Sequence, residues 1–209
     1  MTASPRRPRA VAAFDFDGTI ARRDTVVPFL ASVAGRPALA RSVTARAPQL
    51  AWIATGRAAG GARDAEKAHF IRRLLGGRSA AAVAAAGERY AEQLWSRHHF
   101  RPEILDRLAW HRSRGHEIVI VSASLDVYLR PLAPRLGVSE VISCSLVADA
   151  DGILTGELAG GNVRGPEKIR RLTAWLGGDA ALAATELWAY GDSAGDEELL
   201  AAADHPVRV

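Results

Sequence analysis

The chain has 209 residues, of which 48% are hydrophobic and 24% are charged, and this balance excludes wholesale disorder. Its length suits one full α/β domain with a small second lobe. The single cysteine, Cys144, excludes an internal disulfide framework or a cysteine zinc cluster. A formal net charge of +4 is compatible with anionic small molecules, nucleic acid or a membrane surface, but the scattered arginines favour an ordinary solvated surface.

The first nine residues, MTASPRRPR, are expected to form a flexible tail. They contain no apolar stretch that could serve as a signal peptide. Charged residues or glycines interrupt every apolar segment before about 18 residues, so no transmembrane helix is expected. Together with the single cysteine, these features predict a cytoplasmic protein that does not bind a membrane, and they leave its oligomeric state open.

Short apolar and β-branched runs predict the strands of a mostly parallel sheet. The first is AVAAFDF at 10–16, which ends in an acidic pair followed by a glycine. The second is EIVIVS at 117–122, which ends in a serine. The remaining predicted strands lie at 141–147, 152–158, 186–190 and 207–209, and 152–158 is the return arm of a hairpin.

Helical patterns occupy the gaps between the later strands. Residues 101–114 have Pro102 near the first turn and end before Gly115, as helices commonly do. Pro166–Leu176 has the same proline start, and a shorter helix is predicted at 196–203. Strands that alternate with helices predict an α/β fold, with a parallel sheet covered on both faces.

About 100 residues separate the first two strands, whereas a plain βαβ unit needs about 30. The excess, 21–100, is rich in Ala and Arg and predicts about four helices, broken at Gly60-Gly61 and Gly76-Gly77. An insert at this point lies over the sheet edge where open α/β sheets bind ligands, which suits a cap. The predicted organisation is a tail at 1–9, an α/β core at 10–20 and 101–209, and a helical cap at 21–100.

Four polar motifs follow predicted strands or begin a predicted helix. They are DFDGT at 15–19, SAS at 122–124, Lys168, and GDSAGD at 191–196. Because the carboxyl ends of parallel strands lie on one edge of a sheet, these groups can converge. Carboxylate oxygens suit a hard divalent ion such as Mg²⁺, and a hydroxyl with a lysine suits a phosphoryl group.

Each motif also has a purely structural interpretation. The acidic motifs could be turns, the serines could cap a helix, and Lys168 could be a surface lysine. However, only two of the 27 basic residues are lysines, which makes the position of Lys168 unusual. An aspartate inside an apolar run is also costly to bury without a shared cation or proton. The occurrence of all four motifs in this order therefore favours one site.

This ordered set resembles the haloacid dehalogenase (HAD) superfamily of phosphohydrolases over nearly the whole chain. The resemblance implies a Rossmann-like core with a C1-type cap inserted after the first strand. The stretches VSAS, DGILTG, GNVRGPEKIRRL and GDSAGDEELL are similar to subfamily IB, which contains phosphoserine phosphatase. Gly18 and Gly195 depart from that enzyme, which often has Ser and Asn at these two places.

The resemblance implies the chemical role of the three main carboxylates. Asp15 would be the nucleophile that takes the phosphoryl group as an aspartyl-phosphate. Asp17 would be the general acid/base, and its surroundings should raise the pKa of its carboxyl group. Mg²⁺ would be held by Asp15, Asp192 and the backbone carbonyl of Asp17.

The resemblance also implies the groups that surround the phosphate. Ser122 and Lys168 would hold the phosphoryl oxygens, and the hydroxyl of Thr19 is placed with them. Lys168 would offset negative charge on the nucleophile. Asp196 would lie behind the metal ligands or pair with Lys168.

Asp24 follows the first acidic motif, where the chain enters the insert. In the phosphoserine phosphatase branch an acidic residue at this position contacts the substrate amine. The resemblance therefore implies an amino-bearing leaving group, while the alternative is an N-cap for a helix that begins near Thr25. The cap cations that could meet a substrate carboxylate are Arg57, Arg63, Lys67, Arg72 and Arg73.

The favoured function is Mg²⁺-dependent hydrolysis of a small phosphomonoester, with phosphoserine or a related amino-bearing phosphate preferred. A phosphomutase or phosphotransferase with the same nucleophile is a second candidate. A third is a non-catalytic, basic nucleic-acid-binding protein, which would bind DNA or RNA with a steep salt dependence. The intact motifs argue against the third, so the expected partner is a small-molecule phosphate ester and no nucleic acid.

Overall fold

A computed structural model describes residues 9–55 and 61–209, and these contain seven strands and ten helices. The strands are β1 (Arg9–Phe14), β2 (Glu117–Leu125), β3 (Glu140–Cys144), β4 (Leu146–Ala148), β5 (Leu154–Leu158), β6 (Thr185–Gly191) and β7 (His205–Arg208). The helices of the insert are α1 (Val26–Ala34), α2 (Arg36–Ala45), α3 (Ala47–Ala54), α4 (Ala62–Leu75) and α5 (Ala80–Ser96). The remaining helices are α6 (Pro102–Ser113), α7 (Asp126–Leu136), α8 (Pro166–Leu176), α9 (Asp179–Ala183) and α10 (Glu197–Ala201).

Five strands form one parallel sheet in the order β3-β2-β1-β6-β7. The central strand is β1, in which Ala13 pairs with Val119 of β2 and with Ala189 of β6. Its last four residues are fully buried, because helices cover both faces of the sheet at its centre. This burial explains why the strand is a continuous apolar run rather than an alternating one, and the predicted α/β class is confirmed.

The strand predicted at 141–147 is wrong as a single element. The run divides at Ser145 into β3, which pairs with β2 in the large sheet, and β4, which pairs antiparallel with β5. The predicted hairpin is therefore present, but its first arm is short. The apolar run carries no signal of which sheet each half joins, although β3 is more buried than β4.

The helix predictions outside the insert agree with α6 and α8, and α8 has the predicted bounds. In contrast, α7 is not predicted from the sequence. It contains Pro131 and Pro134, and proline inside a helix removes a backbone donor. Burial of Tyr128, Leu129 and Leu132 against the core compensates for those lost hydrogen bonds.

The helical insert after the first strand is confirmed, although its described part holds five helices rather than about four. Gly61 and Gly76 flank α4, as the predicted breaks suggested, whereas Gly60 lies outside the described residues. Of the predicted tail only Arg9 is described, and it begins β1 and pairs with Glu117 at 2.7 Å. The division of the chain into core and cap domains stays a prediction.

The insert packs on the core through α5 and α7. At Gly87 the two helices approach so closely that a Cβ atom would lie 2.1 Å from the carbonyl oxygen of Val127. The rings of Phe29, Tyr90 and Tyr128 meet beside this contact, with centroids 5.1 to 5.4 Å apart. In the part of the chain that is described, every helix is too short or too polar to cross a bilayer.

Candidate active site

The candidate site lies where the adjacent parallel strands β1 and β6 end. Asp15 directly follows β1, and Asp17 lies two residues further on. Asp192 directly follows β6, while Lys168 occupies the first turn of α8. The topology thus brings the two acidic motifs and the lysine to one edge of the sheet, as the parallel arrangement predicts.

Lys168 is the centre of a buried ion-pair cluster. Its Nζ donates to Asp15 Oδ1 at 2.6 Å and to Asp196 Oδ1 at 2.5 Å. The lysine is only 2% exposed, so it is not a surface lysine. Burial alone would lower the pKa of Lys168, but the two carboxylates raise it above its ordinary value. The charged lysine thus offsets the negative charge of both carboxylates, although burial still raises the pKa of Asp15 above its ordinary value.

Asp196 stabilises the loop that follows β6 as well as the lysine. Its Oδ2 accepts hydrogen bonds from the backbone N–H of Ser193 at 3.0 Å and from the Ser193 hydroxyl at 2.8 Å. A Cβ atom on Gly191 would lie 2.5 Å from the Cβ of Asp196, so glycine is required there. Asp196 is therefore a fully buried ion-pair partner of Lys168.

Asp192 has an unpartnered oxygen that suits a cation. One oxygen each from Asp15, Asp192 and Asp196 lies within 4.8 Å of the others. Asp192 Oδ1 is buried without a hydrogen-bond partner among the described residues, and burial followed by the charge of Asp196 raises its pKa. Both oxygens of Asp196 are engaged, by Lys168 and Ser193, whereas Asp192 Oδ1 is not. The cluster is compatible with a divalent ion.

Gly18 explains a departure from the phosphoserine phosphatase pattern. Its φ of +85° lies in the left-handed region that favours glycine. A Cβ atom at this position would also lie 2.2 Å from Asp192 Oδ2. Arg101 fixes the same loop by donating from Nε to the carbonyl oxygen of Gly18 at 2.8 Å. In this chain, glycine lets the loop approach the second acidic motif.

Asp17 is surrounded by uncharged hydrogen-bond donors. Its Oδ1 accepts from the backbone N–H and the hydroxyl of Thr25, at 3.1 and 2.5 Å, and its Oδ2 accepts from the Ser124 hydroxyl at 2.8 Å. Burial raises the pKa of Asp17 to about 7, against the effect of these hydrogen bonds. Its carboxyl group can therefore be protonated or ionised near neutral pH. The sequence analysis likewise predicts a raised pKa for Asp17.

Two residues around Asp17 are missed by the sequence prediction. Thr25 is held by its own contacts, since its hydroxyl lies 3.0 Å from the Tyr128 hydroxyl and its carbonyl accepts from the Tyr90 hydroxyl at 3.0 Å. Ser124 belongs to the SAS motif at 122–124, but the sequence analysis names only Ser122 of that motif as a functional residue. Thr25 carries no motif, because only the fold brings it to Asp17.

The predicted phosphate-binding hydroxyls are buried near the same edge. Ser122 lies within β2, and its Oγ accepts from the backbone N–H of Ser124 at 3.2 Å. It does not cap α7, whose N-cap is Leu125. Thr19 is fully buried, and its hydroxyl has no hydrogen-bond partner among residues 9–55 and 61–209. An unpaired buried hydroxyl leaves a donor available for a ligand oxygen.

A cavity of about 350 Å³ adjoins Asp17 between the insert and the sheet edge. We call it the insert cavity. Its core side includes Asp17, Ala123, Asn162 and Arg164. Its apolar wall comes from four helices of the insert and consists of Val26, Val27, Leu30, Leu39, Val43, Leu50 and Phe70. Its remaining charged residues are Asp24, Arg63, Asp64 and Lys67.

Asp24 lies where the insert cavity meets the start of α1. It lines the insert cavity, and its Oδ2 also accepts from the backbone N–H of Val27 at 3.0 Å in the first turn of α1. This hydrogen bond stabilises the start of the helix, but the N-cap residue is Thr25, so the predicted N-cap at Asp24 is wrong by one residue. Burial raises the pKa of Asp24. A cation in the cavity would therefore meet a carboxylate whose position the helix fixes.

The predicted cap cations lie in different places. Lys67 lines the cavity, but its Nζ donates to the carbonyl oxygen of Ala123 and, at 2.5 Å, to Asn162 Oδ1. Arg72 pairs with Glu157 at 2.7 Å. Arg63 lines the cavity, Arg73 is exposed, and Arg57 lies outside the described residues.

The family model for haloacid dehalogenase-like hydrolases matches residues 12–201. The chain therefore belongs to this family, and the predicted resemblance is confirmed. Protein CicA of Caulobacter vibrioides is 36% identical over 199 residues, which cover 93% of this chain and 83% of CicA.

Two solved structures show the same fold. A protein of unknown function from Bordetella pertussis Tohama I has a TM-score of 0.79 at 25% identity, covering 97% of this chain and 90% of that one. A substrate-bound phosphoserine phosphatase has a TM-score of 0.56 at 20% identity, covering 95% of this chain and 84% of that one. The second likeness supports the architecture of core and inserted helices alone.

Proposed function

We propose that this protein is a metal-dependent phosphomonoester hydrolase that forms an aspartyl-phosphate on Asp15. The observation that carries the proposal is the contrast between two carboxyl groups two residues apart. Asp15 is ion-paired with Lys168, whereas the hydroxyls that surround Asp17 are uncharged. Burial raises the pKa of both groups, but the charge of Lys168 opposes that rise at Asp15 and favours an ionised nucleophile. The neutral donors around Asp17 leave it able to give and take a proton.

The proposed reaction has two displacements at phosphorus. A carboxylate oxygen of Asp15 attacks the phosphorus, and the bond to the leaving oxygen breaks while Asp17 gives that oxygen its proton. The carboxylate of Asp17 then takes a proton from a water molecule that attacks the phosphorus. The bond to Asp15 breaks, inorganic phosphate is released, and both carboxyl groups return to their starting states.

Lys168, Ser122 and Thr19 would bind the phosphoryl oxygens in this scheme. The unpaired hydroxyl of Thr19 and the charged, buried Lys168 support this assignment. Mg²⁺ would be held by Asp15, Asp192 and the backbone carbonyl of Asp17, and when bound it would neutralise charge on the phosphoryl group. Lys168 would neutralise part of the same charge from a fixed position in the protein.

Activity is expected to depend on the metal. EDTA should stop phosphate release and Mg²⁺ should restore it, because the single charge of Lys168 does not offset Asp15, Asp192, Asp196 and the phosphate together. Ca²⁺ should inhibit, since its larger and looser coordination shell misplaces the nucleophile. The measurement is phosphate release after dialysis, with each ion added separately. Full activity in metal-free buffer would contradict the assignment.

We further propose that the leaving group carries an amino group. Asp24 supports this, because its carboxylate lines the cavity next to Asp17. The fold shared with phosphoserine phosphatase is consistent with phosphoserine or a related amino-bearing phosphate as the substrate. A charge-assisted contact between an ammonium group and Asp24 would be worth about 1.5–3 kcal/mol.

Replacing Asp24 separates its two roles. Asp24→Asn keeps a side-chain oxygen for the N–H of Val27 but removes the charge, whereas Asp24→Ala removes both. We expect both variants to lower kcat/KM for phosphoserine, phosphoethanolamine or phosphocholine by about ten- to a hundredfold. Only Asp24→Ala should also lose about 1 kcal/mol of stability. An aryl phosphate, which carries no ammonium group, serves as the control substrate. An equal loss of kcat/KM on it would mean that Asp24 positions the insert and does not bind the leaving group.

A screen of amino-acid, amino-alcohol, sugar and nucleotide monophosphates tests the proposed function as a whole. Release of inorganic phosphate from at least one class, lost in Asp15→Asn, is the expected result. Product analysis with sugar phosphates detects phosphoryl transfer, because a mutase or transferase yields a new ester instead of free phosphate. Exclusive formation of such an ester would replace hydrolysis by transfer.

A further inference from the structure

We propose that the leaving group of the substrate carries an alkyl or aryl part, which the wall of the insert cavity binds. This inference rests on the proposed function and narrows its substrate class. The reason is positional. A general acid must lie within about 3 Å of the leaving oxygen, and Asp17 forms part of the cavity lining. Whatever is attached to that oxygen therefore occupies the cavity.

The wall of the cavity is apolar where it is formed by the insert. Leu30 is buried, but Val27 and Val43 are 49% and 39% exposed. Among the described residues only four large apolar side chains are at least 37% exposed, and two of them belong to this wall. Apolar surface that remains open beside a catalytic carboxyl group indicates a site for an apolar ligand.

Three polar side chains of the cavity, Asp64, Lys67 and Asn162, are paired with one another. Lys67 donates to Ala123 and Asn162, and Asp64 Oδ1 accepts from Asn162 Nδ2 at 2.7 Å. A leaving group without an apolar part would keep the valine and leucine side chains in contact with water, at a cost in free energy. An apolar part avoids that cost, while an amino group near the phosphate can still meet Asp24.

The size of the cavity agrees with such a substrate. Its volume of about 350 Å³ lies within the range of about 300–1,000 Å³ for small-molecule sites. Burial of each methylene group against the wall should raise kcat/KM about fourfold until the cavity is filled. The selectivity should therefore grow with chain length and then level off.

The test is a series of n-alkyl phosphates from ethyl to octyl, assayed with the full chain and Mg²⁺. We expect kcat/KM to rise about fourfold per methylene over the first steps. The double variant Val27→Thr/Val43→Thr should lower the ratio of octyl to ethyl activity by about tenfold or more, because it places hydroxyl groups against the chain. Val207→Thr is the matched control, since Val207 lies in β7 and outside the cavity lining.

A second readout separates this inference from the proposed function. Calorimetry with ethylphosphonate and octylphosphonate measures binding without turnover, and the longer ligand should bind more tightly and with a more negative heat-capacity change. Equal kcat/KM and equal affinity along the series would overturn the inference even if phosphate is released. Failure of every ester to release phosphate, with chain-length-dependent binding intact, would overturn the proposed hydrolysis and leave the apolar site standing.

Discussion

Asp15→Asn is expected to abolish phosphate release, by about a thousandfold or more, while the protein stays folded. The amide has the shape of the carboxylate, but it cannot form the acyl phosphate on which both displacements depend. Lys168 keeps its second partner, Asp196, so the cluster retains a charged hydrogen bond. Phosphate release on the best substrate of the screen, together with thermal unfolding, checks the two parts of this expectation.

The matched control for that variant is Asp126→Asn. Asp126 is a partly buried aspartate two residues after Ser124, whose Oδ2 accepts from the Ser145 hydroxyl at 2.6 Å and lies 3.9 Å from Arg130 Nε. It undergoes the same chemical change without touching the candidate site, so activity should be retained. If a folded Asp15→Asn protein kept activity close to that of the original chain, Asp15 would not be the nucleophile.

Lys168→Met is expected to have the largest effect on stability. The substitution leaves Asp15 and Asp196 buried without their cation, and removing one partner from a buried ion pair typically costs about 3–5 kcal/mol. Activity should be lost as well, since the phosphoryl group loses its fixed positive charge. Urea unfolding in EDTA measures the stability change without any contribution from a bound metal.

A second substitution distinguishes charge imbalance from lost packing. Lys168→Met/Asp196→Asn removes one of the two uncompensated carboxylates, so it should recover part of the lost stability and none of the activity. If the single variant unfolds at the same urea concentration as the original chain, the cluster does not stabilise the fold in the way its burial indicates.

Much of the architecture could be predicted from the sequence because the responsible signals are local. Continuous apolar runs predict the buried parallel strands. A proline in the first turn and a glycine just past the last turn predict α6 and α8. The acidic motifs and Lys168 were placed correctly at one edge, since parallel topology forces strand ends together. The role of each residue at that edge stays a prediction.

What the sequence did not predict depends on contacts between distant segments. The run at 141–147 divides between two sheets, and α7 forms despite two prolines, because tertiary packing overrides local preference. Thr25 approaches Asp17 only after the insert folds back on the core. The apolar wall of the insert cavity is likewise assembled from four helices, none of which carries a recognisable motif.

The most direct test of the central claim is to trap the phosphoryl group on the enzyme. A single turnover of a cleaved phosphomonoester is quenched in acid, and the digested protein is examined by mass spectrometry for the peptide that contains Asp15. The account predicts a phosphoryl adduct on Asp15 that disappears when the quench is delayed and that never forms in Asp15→Asn. Rapid hydrolysis with no adduct at any quench time, or an adduct on another residue, would contradict it.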